Sequence, residues 1–345
     1  MNDPNMDSYE QYEDLFNPMK TNRQARRKRK PQANHKPKKA AEKVIGEIAD
    51  LSGVEGDYTT TYQPSKHERG WLLKSLRPFY DQAIITDVLA VVKGGKEASV
   101  YRCAAHPSTN MDFVAAKVYR PRMFRQLRND KLYRQGRVTL KADGKAVKKS
   151  DQRVMRALGK KSAFGVQTAH TSWLMYEYKT LQLLYSMGAA VPEPLAAGEN
   201  AIMMEYCGNA QLAAPTLNTI VLAPEEPEPL FNETLRNVEL MLQHNLIHGD
   251  LSAYNILYWE GYITLIDFPQ VTDSHANTEA RFIFERDVTR ICQYFASQGL
   301  ERDANAIVDV LWEQYGQPVP EPYPVDDYSL DDDDDDLLDD EWPEE

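Results

Sequence analysis

Apolar residues recur along this chain with two different periods. Trp71, Leu72, Leu76 and Phe79 fall at helical spacing, which predicts a helix over 68–80 with Pro78 near its end. A second short helix is expected over 81–89. The period then shortens. Residues 89–92 predict a strand, 93–98 a glycine-containing turn, 99–102 a returning strand and 113–119 another strand, with Lys117 inside an otherwise apolar run. Trp173, Leu174, Leu181 and Leu184 predict a helix over 171–187, stopped by Gly188. A hairpin is expected from 195–197 and 201–206, turning through 198–200. From Asn209 the pattern predicts mainly helix. Residues 224–229 read as an acidic, proline-rich loop, and Leu235, Val238 and Leu242 mark a helix over 231–245. Two apolar runs, 256–258 and 262–266, flank Glu260-Gly261 and predict a tight hairpin. Ile291, Tyr294 and Phe295 indicate a helix after Asp287, and 303–315 a final amphipathic helix.

Both ends depart from this patterning. The net charge of −12 over 345 residues hides strong segregation. Arg23, Arg26, Arg27, Lys28, Arg29 and Lys30 form a basic cluster in an arm over 1–65, while Asp331 to Asp336 run unbroken in an acidic tail over 318–345. Neither segment can bury enough apolar surface to offset the entropy of ordering, so both are expected to be disordered. The folded region is placed at 66–317, starting between Glu55 and His67. Cys103, Cys207 and Cys292 are odd in number and widely spaced, which suits reduced thiols and a cytoplasmic protein. No signal-peptide pattern or membrane-length apolar run occurs.

The chemistry concentrates around the late hairpin. Asp250 and Asn255 share the loop H-G-D-L-S-A-Y-N before it, and Asp267 stands just past its second strand. A hairpin would bring all three to one end. Two hard oxygen ligands, Asn255 and Asp267, beside a base, Asp250, suit Mg²⁺ and a triphosphate, with Mn²⁺ as an alternative metal. The spacing matches the kinase pattern H-R-D-x-x-x-x-N followed by D-F-G, with two departures: Gly249 replaces Arg and Pro269 replaces the last Gly. The alternative is a polar hairpin with a buried His and turn-forming Asp residues. Upstream, Gly94, Gly95, Lys96 and Glu97 form a turn that can offer backbone N–H groups to phosphates, leading into Ser99 and Val100. Lys117 on the next strand can reach the α- and β-phosphates.

V-K-G-G-K-E-A-S-V-Y resembles the phosphate-binding loop of the RIO family of atypical protein kinases and ATPases. V-A-A-K-V-Y resembles its Lys strand, and H-G-D-L-S-A-Y-N with I-D-F-P-Q its catalytic and metal-binding loops. The likeness runs over roughly 76–315. It implies an α+β, protein-kinase-like bilobal fold of RIO type, with an antiparallel-sheet N-lobe over about 66–206 and a mainly helical C-lobe over about 208–317. The usual activation loop and peptide-docking region are expected to be missing. It also implies roles: Glu177 pairs with Lys117, the Glu205 carbonyl and Cys207 amide bond adenine, Asp250 is catalytic, and Asp267 is a candidate aspartyl-phosphate. Asp287 is a candidate anchor for the catalytic-loop backbone, though a plain helix-start Asp reads almost as well.

The expected activity is ATP- and Mg²⁺-dependent Ser/Thr kinase or ATPase chemistry with autophosphorylation, in small-ribosomal-subunit or other ribonucleoprotein maturation. The basic arm and the basic segment over 120–164 are the candidate contacts for ribosomal RNA or a pre-ribosomal particle. The alternative for both is a solubilising or solvated role. No DNA-binding module is evident ahead of the kinase region. Two other functions use the same residues. Aminoglycoside and choline kinases also carry H-G-D-x-x-x-x-N and I-D-F, but the glycine loop and basic insert argue against them. A switch that docks to a ribonucleoprotein according to its nucleotide state, with little turnover, is the other.

Overall fold

The computed structural model describes residues 60–316, apart from 96, 121–136, 142, 149 and 161. The arm, the acidic tail, Lys96 and much of the basic segment therefore lie outside the described residues.

Helix α1 (Lys66–Asp81) starts at Ser65, whose backbone N–H donates to the Glu68 carboxylate at 3.3 Å. Its inward stripe, Leu72, Leu76 and Phe79, is fully buried. It packs on a five-stranded antiparallel sheet in the order β1-β2-β3-β5-β4. The strands are β1 (Ile85–Gly94), β2 (Ala98–Ala105), β3 (Phe113–Tyr119), β4 (Pro194–Ala197) and β5 (Ala201–Glu205). Alternation along β2 sends Ser99, Tyr101 and Cys103 into the core beneath α1. Lys117 pairs in register with Val100 on β2 and Ile202 on β5, so these three side chains share the opposite face.

Helix α2 (Gln152–Gly159) leads into the long helix α3 (Ala163–Ser186). The Ser162 hydroxyl caps α3 by accepting from the Gly165 N–H at 3.2 Å. A side chain at 165 would meet the Ala157 carbonyl oxygen at 1.9 Å, so only glycine lets α2 and α3 come this close. Leu174, Met175 and Tyr178 of α3 pack with Tyr119 and Ile202 of the sheet, while Leu181 and Leu184 reach the second core. One helix thus joins both halves.

That second core is built from α4 (Pro227–Gln243), α5 (Ala280–Ser297) and α6 (Ala304–Tyr315). Two short antiparallel strand pairs lie against it. One is β6 (Leu246–Ile247) with β9 (Thr272–Asp273), and the other is β7 (Ile256–Trp259) with β8 (Tyr262–Leu265). Among the described residues, no helix is long and apolar enough to cross a membrane.

Four local expectations change. The short helix over 81–89 is strand β1 instead, because Ala83 takes a left-handed φ of 54° and the β-branched Ile84, Ile85, Thr86 and Val88 follow. Helix α3 begins eight residues before 171, at the Ser162 cap. Residues 209–226 are mostly irregular, with a single 3₁₀ turn at Leu217–Thr219. There the Asn209 side chain accepts from the N–H groups of Gln211 and Leu212 at 2.9 and 2.8 Å, and competes with helix. Helix α4 starts inside the expected proline-rich loop, because Pro227 occupies a first-turn position where its missing N–H costs nothing.

Candidate active site

The β7–β8 register brings the late motifs together. Ile256 pairs with Leu265, and the Ile266 N–H donates to the Asn255 carbonyl at 3.0 Å. Asn255 therefore lies one residue from the level of Asp267. The Asn255 amide nitrogen donates to the Asp250 carbonyl at 2.9 Å and to Asp250 Oδ2 at 3.2 Å. These contacts turn the amide oxygen away from Asp250. Asp267 takes a left-handed φ of 73°, which Asp tolerates better than most residues, and 43% of its side chain remains accessible.

Lys117 joins the two halves of the site. Its ammonium lies 2.5 Å from Glu177 Oε1 and 2.6 Å from Asp267 Oδ1. The Tyr119 hydroxyl donates to the other Glu177 oxygen. Burial disfavours the Lys117 charge, but the Asp267 and Glu177 carboxylates outweigh it and hold the pKa well above the ordinary lysine value. Burial likewise works against the Asp267 charge, and Lys117 outweighs it, lowering that carboxyl. Lys117 is thus held as a cation, aimed at the residue expected to hold metal.

The loop around Asp250 is held from two sides. Its backbone N–H donates to His248 Nδ1 at 3.3 Å, so His248 Nε2 carries the proton it donates to the Ile266 carbonyl at 3.2 Å. The His248 ring packs on Phe268 with centroids 4.9 Å apart. From α5, Asp287 Oδ2 accepts from the Gly249 N–H at 2.7 Å, which bears out the anchoring role considered for it. Arg286 donates to the Gly249 carbonyl, and Arg290 Nη1 donates to Asp250 Oδ1 at 2.9 Å. Burial raises the Asp250 pKa above the ordinary aspartate value, against the opposing pull of Arg290.

The remaining candidates are distributed unevenly. Gly94 ends β1 opposite Ser99, and the Gly95 N–H donates to the Ala98 carbonyl at 2.9 Å, closing the tight turn. A Cβ at 95 would meet that carbonyl oxygen at 2.7 Å. The Glu97 carbonyl accepts from the Arg120 N–H at 2.8 Å, tying the turn to the end of β3. Val100 shares the Lys117 face, whereas the Ser99 side chain is buried on the other face. Ser99 can therefore face the cleft through its backbone alone. Glu205 ends β5, and the Cys207 carbonyl accepts from the Ala214 N–H at 3.0 Å, which orients the segment between the two halves. Burial, helped by Glu205, pushes the Cys207 thiol up to about 11.

Sequence patterning missed Arg290, Arg286, Tyr119 and Arg137. Arg137, in the described end of the basic segment, donates to the Pro269 carbonyl at 2.8 Å and to the Val271 carbonyl, and stacks 4.3 Å over the Tyr176 ring. This places that end of the segment against the turn that follows Asp267. Arg286 and Arg290 had a signal. They stand four apart on α5 and flank the buried positions Asp287, Val288 and Ile291, where an ordinary solvent-facing Arg is out of place.

The RIO domain profile matches residues 99–307, more than half of the chain. The chain belongs to the RIO family. The matched region spans the Lys117 strand, the Glu177 helix, the Asp250 loop and Asp267, and the fold is protein-kinase-like. The chain is similar to the RIO-type serine/threonine-protein kinase Rio1 of Haloferax volcanii, at 27% identity over 147 residues. That alignment covers 42% of this chain and 49% of the relative. It is also similar to the RIO-type serine/threonine-protein kinase Rio1 of Thermoplasma acidophilum, at 28% over 139 residues, covering 40% of this chain and 72% of the relative. Similarity to the serine/threonine-protein kinase RIO1 of Chaetomium thermophilum extends over 229 residues at 25% identity, covering 63% of this chain but 41% of the relative.

Proposed function

We propose that this protein is an ATP- and Mg²⁺-dependent phosphotransferase acting as a RIO-type Ser/Thr kinase, an ATPase, or both, with autophosphorylation. The observation that carries this is the Lys117 ammonium, which is held between Glu177 at 2.5 Å and Asp267 at 2.6 Å. A lysine fixed by one carboxylate and aimed at another suits a site that manages phosphate and metal charge.

The donor set fits Mg²⁺. Asn255 and Asp267 supply hard oxygens, Asp267 is accessible, and Mg²⁺ commonly takes one or two protein ligands and completes its shell with phosphate oxygens and water. Bound there, it would neutralise charge on the transferring phosphoryl group. Lys117 would release Asp267 and turn to the nucleotide phosphates while Glu177 keeps it in place. Gly94, Gly95, Lys96 and Glu97, with the Ser99 backbone, would cover the phosphates. Val100 would roof the base, and the Glu205 carbonyl and Cys207 amide would bond adenine. Asp250 would accept or orient the proton of the attacking hydroxyl, and Asn255 keeps its carboxylate in position. If the acceptor is Asp267 itself, its Oδ attacks the γ-phosphorus, the bond to the ADP oxygen breaks, and water later hydrolyses the acyl phosphate.

Arg153, Arg156 and Lys160 line one cavity beside the α2–α3 junction, and Arg137 reaches the active-site turn. These cations support contact with ribosomal RNA or a pre-ribosomal particle. The free thiols Cys103, Cys207 and Cys292 support a cytoplasmic setting.

Label transfer from γ-labelled ATP with Mg²⁺ tests the reading. Protein-bound label that hydroxylamine removes, and that Asp267→Asn lacks, supports an acyl-phosphate cycle. Hydroxylamine-stable label supports Ser/Thr autophosphorylation. Absence of labelling and hydrolysis, with rapid transfer to a small alcohol or aminoglycoside, overturns the reading.

A further inference from the structure

We propose that Arg290, carried on α5, is the positioning residue for the Asp250 carboxylate. The proposal rests on the functional reading of Asp250 given above.

The loop excludes an internal cation on steric grounds. Gly249 has a φ of 82°, in the left-handed region, and a Cβ there would meet the Gln270 carbonyl oxygen at 2.4 Å and its carbon at 3.0 Å. Both contacts are backbone, from the strand-like turn that follows Asp267, and neither can swing aside. No side chain is accommodated at 249, so the Arg that precedes the Asp in H-R-D cannot stand there.

Helix α5 supplies the charge from outside. Residues 286, 287 and 290 lie on one face, with 286 and 290 one turn apart. Asp287 receives the Gly249 N–H, Arg286 donates to the Gly249 carbonyl, and Arg290 donates to Asp250 Oδ1 at 2.9 Å. The first two contacts hold the peptide groups on both sides of Gly249. The third reaches the functional carboxylate itself. The Arg290 and Asp250 side chains are 9% and 17% accessible, so their pairing is little screened by water.

The other Asp250 oxygen is engaged by Asn255 at 3.2 Å. The carboxylate is therefore gripped at both oxygens by groups from two elements, which fixes its rotation about the Cβ–Cγ bond. A planar guanidinium holds a carboxylate in a defined plane, whereas an ammonium supplies charge with less directional control. Arg290 does not meet nucleotide or acceptor on this reading. It acts through Asp250, by holding the carboxylate where an acceptor hydroxyl would arrive.

Arg290→Ala and Arg290→Lys are compared with wild type, with Asp250→Asn and with the double variant Asp250→Asn/Arg290→Ala. The readouts are Mg²⁺-dependent ATP hydrolysis, self-labelling, and the dissociation constant of a fluorescent ATP analogue. The expected result is a fall in kcat of about 10- to 100-fold in Arg290→Ala, with nucleotide affinity within about threefold of wild type. Added guanidinium ion should restore part of the lost turnover, while equal concentrations of sodium should not. Arg290→Lys should lie between wild type and Arg290→Ala, and the double variant should lose nothing beyond Asp250→Asn alone. Unchanged kcat in Arg290→Ala overturns the proposal. So does a loss that adds fully to that of Asp250→Asn, or one that appears wholly as weaker nucleotide binding. If Arg290→Ala does not fold, Arg290→Lys decides: wild-type kcat overturns the proposal, and reduced kcat with unchanged affinity upholds it. Inactive wild-type protein would instead contradict the proposed function, a separate outcome.

Discussion

Lys117 and Glu177 stand 60 residues apart in sequence, yet their charged atoms lie 2.5 Å apart between the sheet and helix α3. Both are largely buried, with side chains 12% and 4% accessible. Such a pair stabilises little relative to an apolar replacement, but leaving one partner alone is costly. Glu177→Ala should lower the free energy of unfolding by about 1.5–3 kcal/mol, through loss of the buried hydrogen bonds that Lys117 and Tyr119 donate to this carboxylate. It should also abolish most phosphoryl transfer, because Lys117 then rests on Asp267 alone. Urea denaturation beside ATP hydrolysis checks both parts, and a variant of native stability and turnover would contradict them.

Asp250 and Asp267 should fail differently. Asp250→Ala is expected to lose phosphoryl transfer while keeping Mg²⁺-dependent nucleotide binding near wild type. Asp267→Ala should weaken that binding, since it removes the accessible carboxylate of the site. Calorimetric titration with a non-hydrolysable ATP analogue, with and without Mg²⁺, separates the two. Equal loss of binding in both would remove the division of roles.

Gly249→Ala should be damaging despite its small size. The new methyl would sit 2.4 Å from the Gln270 carbonyl oxygen, on a backbone at φ 82°. Strain of this kind costs about 1–3 kcal/mol at one residue. Stability should fall by that order and turnover with it, because the displaced peptide belongs to the Asp250 loop. Gly249→Arg, which restores the commoner kinase motif, should be at least as harmful. Thermal melting and ATP hydrolysis of the two variants provide the check.

Alkaline pH should weaken the fold through buried phenols. Tyr294 is raised to about 12, mainly by burial and then by the Glu226 charge, against an ordinary value near 10. Burial also raises Tyr101 and Tyr119, and the Glu68 and Glu177 carboxylates add to it. A phenol whose pKa is raised by folding contributes stability fully present below the unfolded value and lost as pH climbs through the folded one. Stability should therefore decline from about pH 10 to 12 in the Tyr294 window. Tyr294→Phe should flatten part of that decline. Absorbance at the tyrosinate band should show a slow class that merges with the rest on unfolding. A single class titrating near 10 in the native protein would refute the assignment.

The four motifs were legible because their chemistry is local. Asp250 and Asn255 share one loop, Glu260-Gly261 closes the hairpin, and Lys117 interrupts an apolar strand. Helix α4 was legible for its buried Val238 and Leu242, although it starts at Pro227 and not at the expected 231. The first part of strand β1 was read as helix because the left-handed turn at Ala83 leaves no composition signal, while its 89–92 stretch was legible as strand.

The sequence by itself thus determined the order of the lobes, the family resemblance and the candidates for phosphate handling. Each depends on neighbours within a few positions, where spacing and side-chain type suffice. Only the tertiary structure decided which groups meet. It turned the Ser99 side chain into the core through the register of β2 with β3. It brought Arg137 against the carbonyls after Asp267, and it set Arg290 on Asp250 from 40 residues away. Those contacts depend on how α3 and α5 pack against the sheet and the loop. Packing sums many weak long-range interactions that no short stretch of chain records.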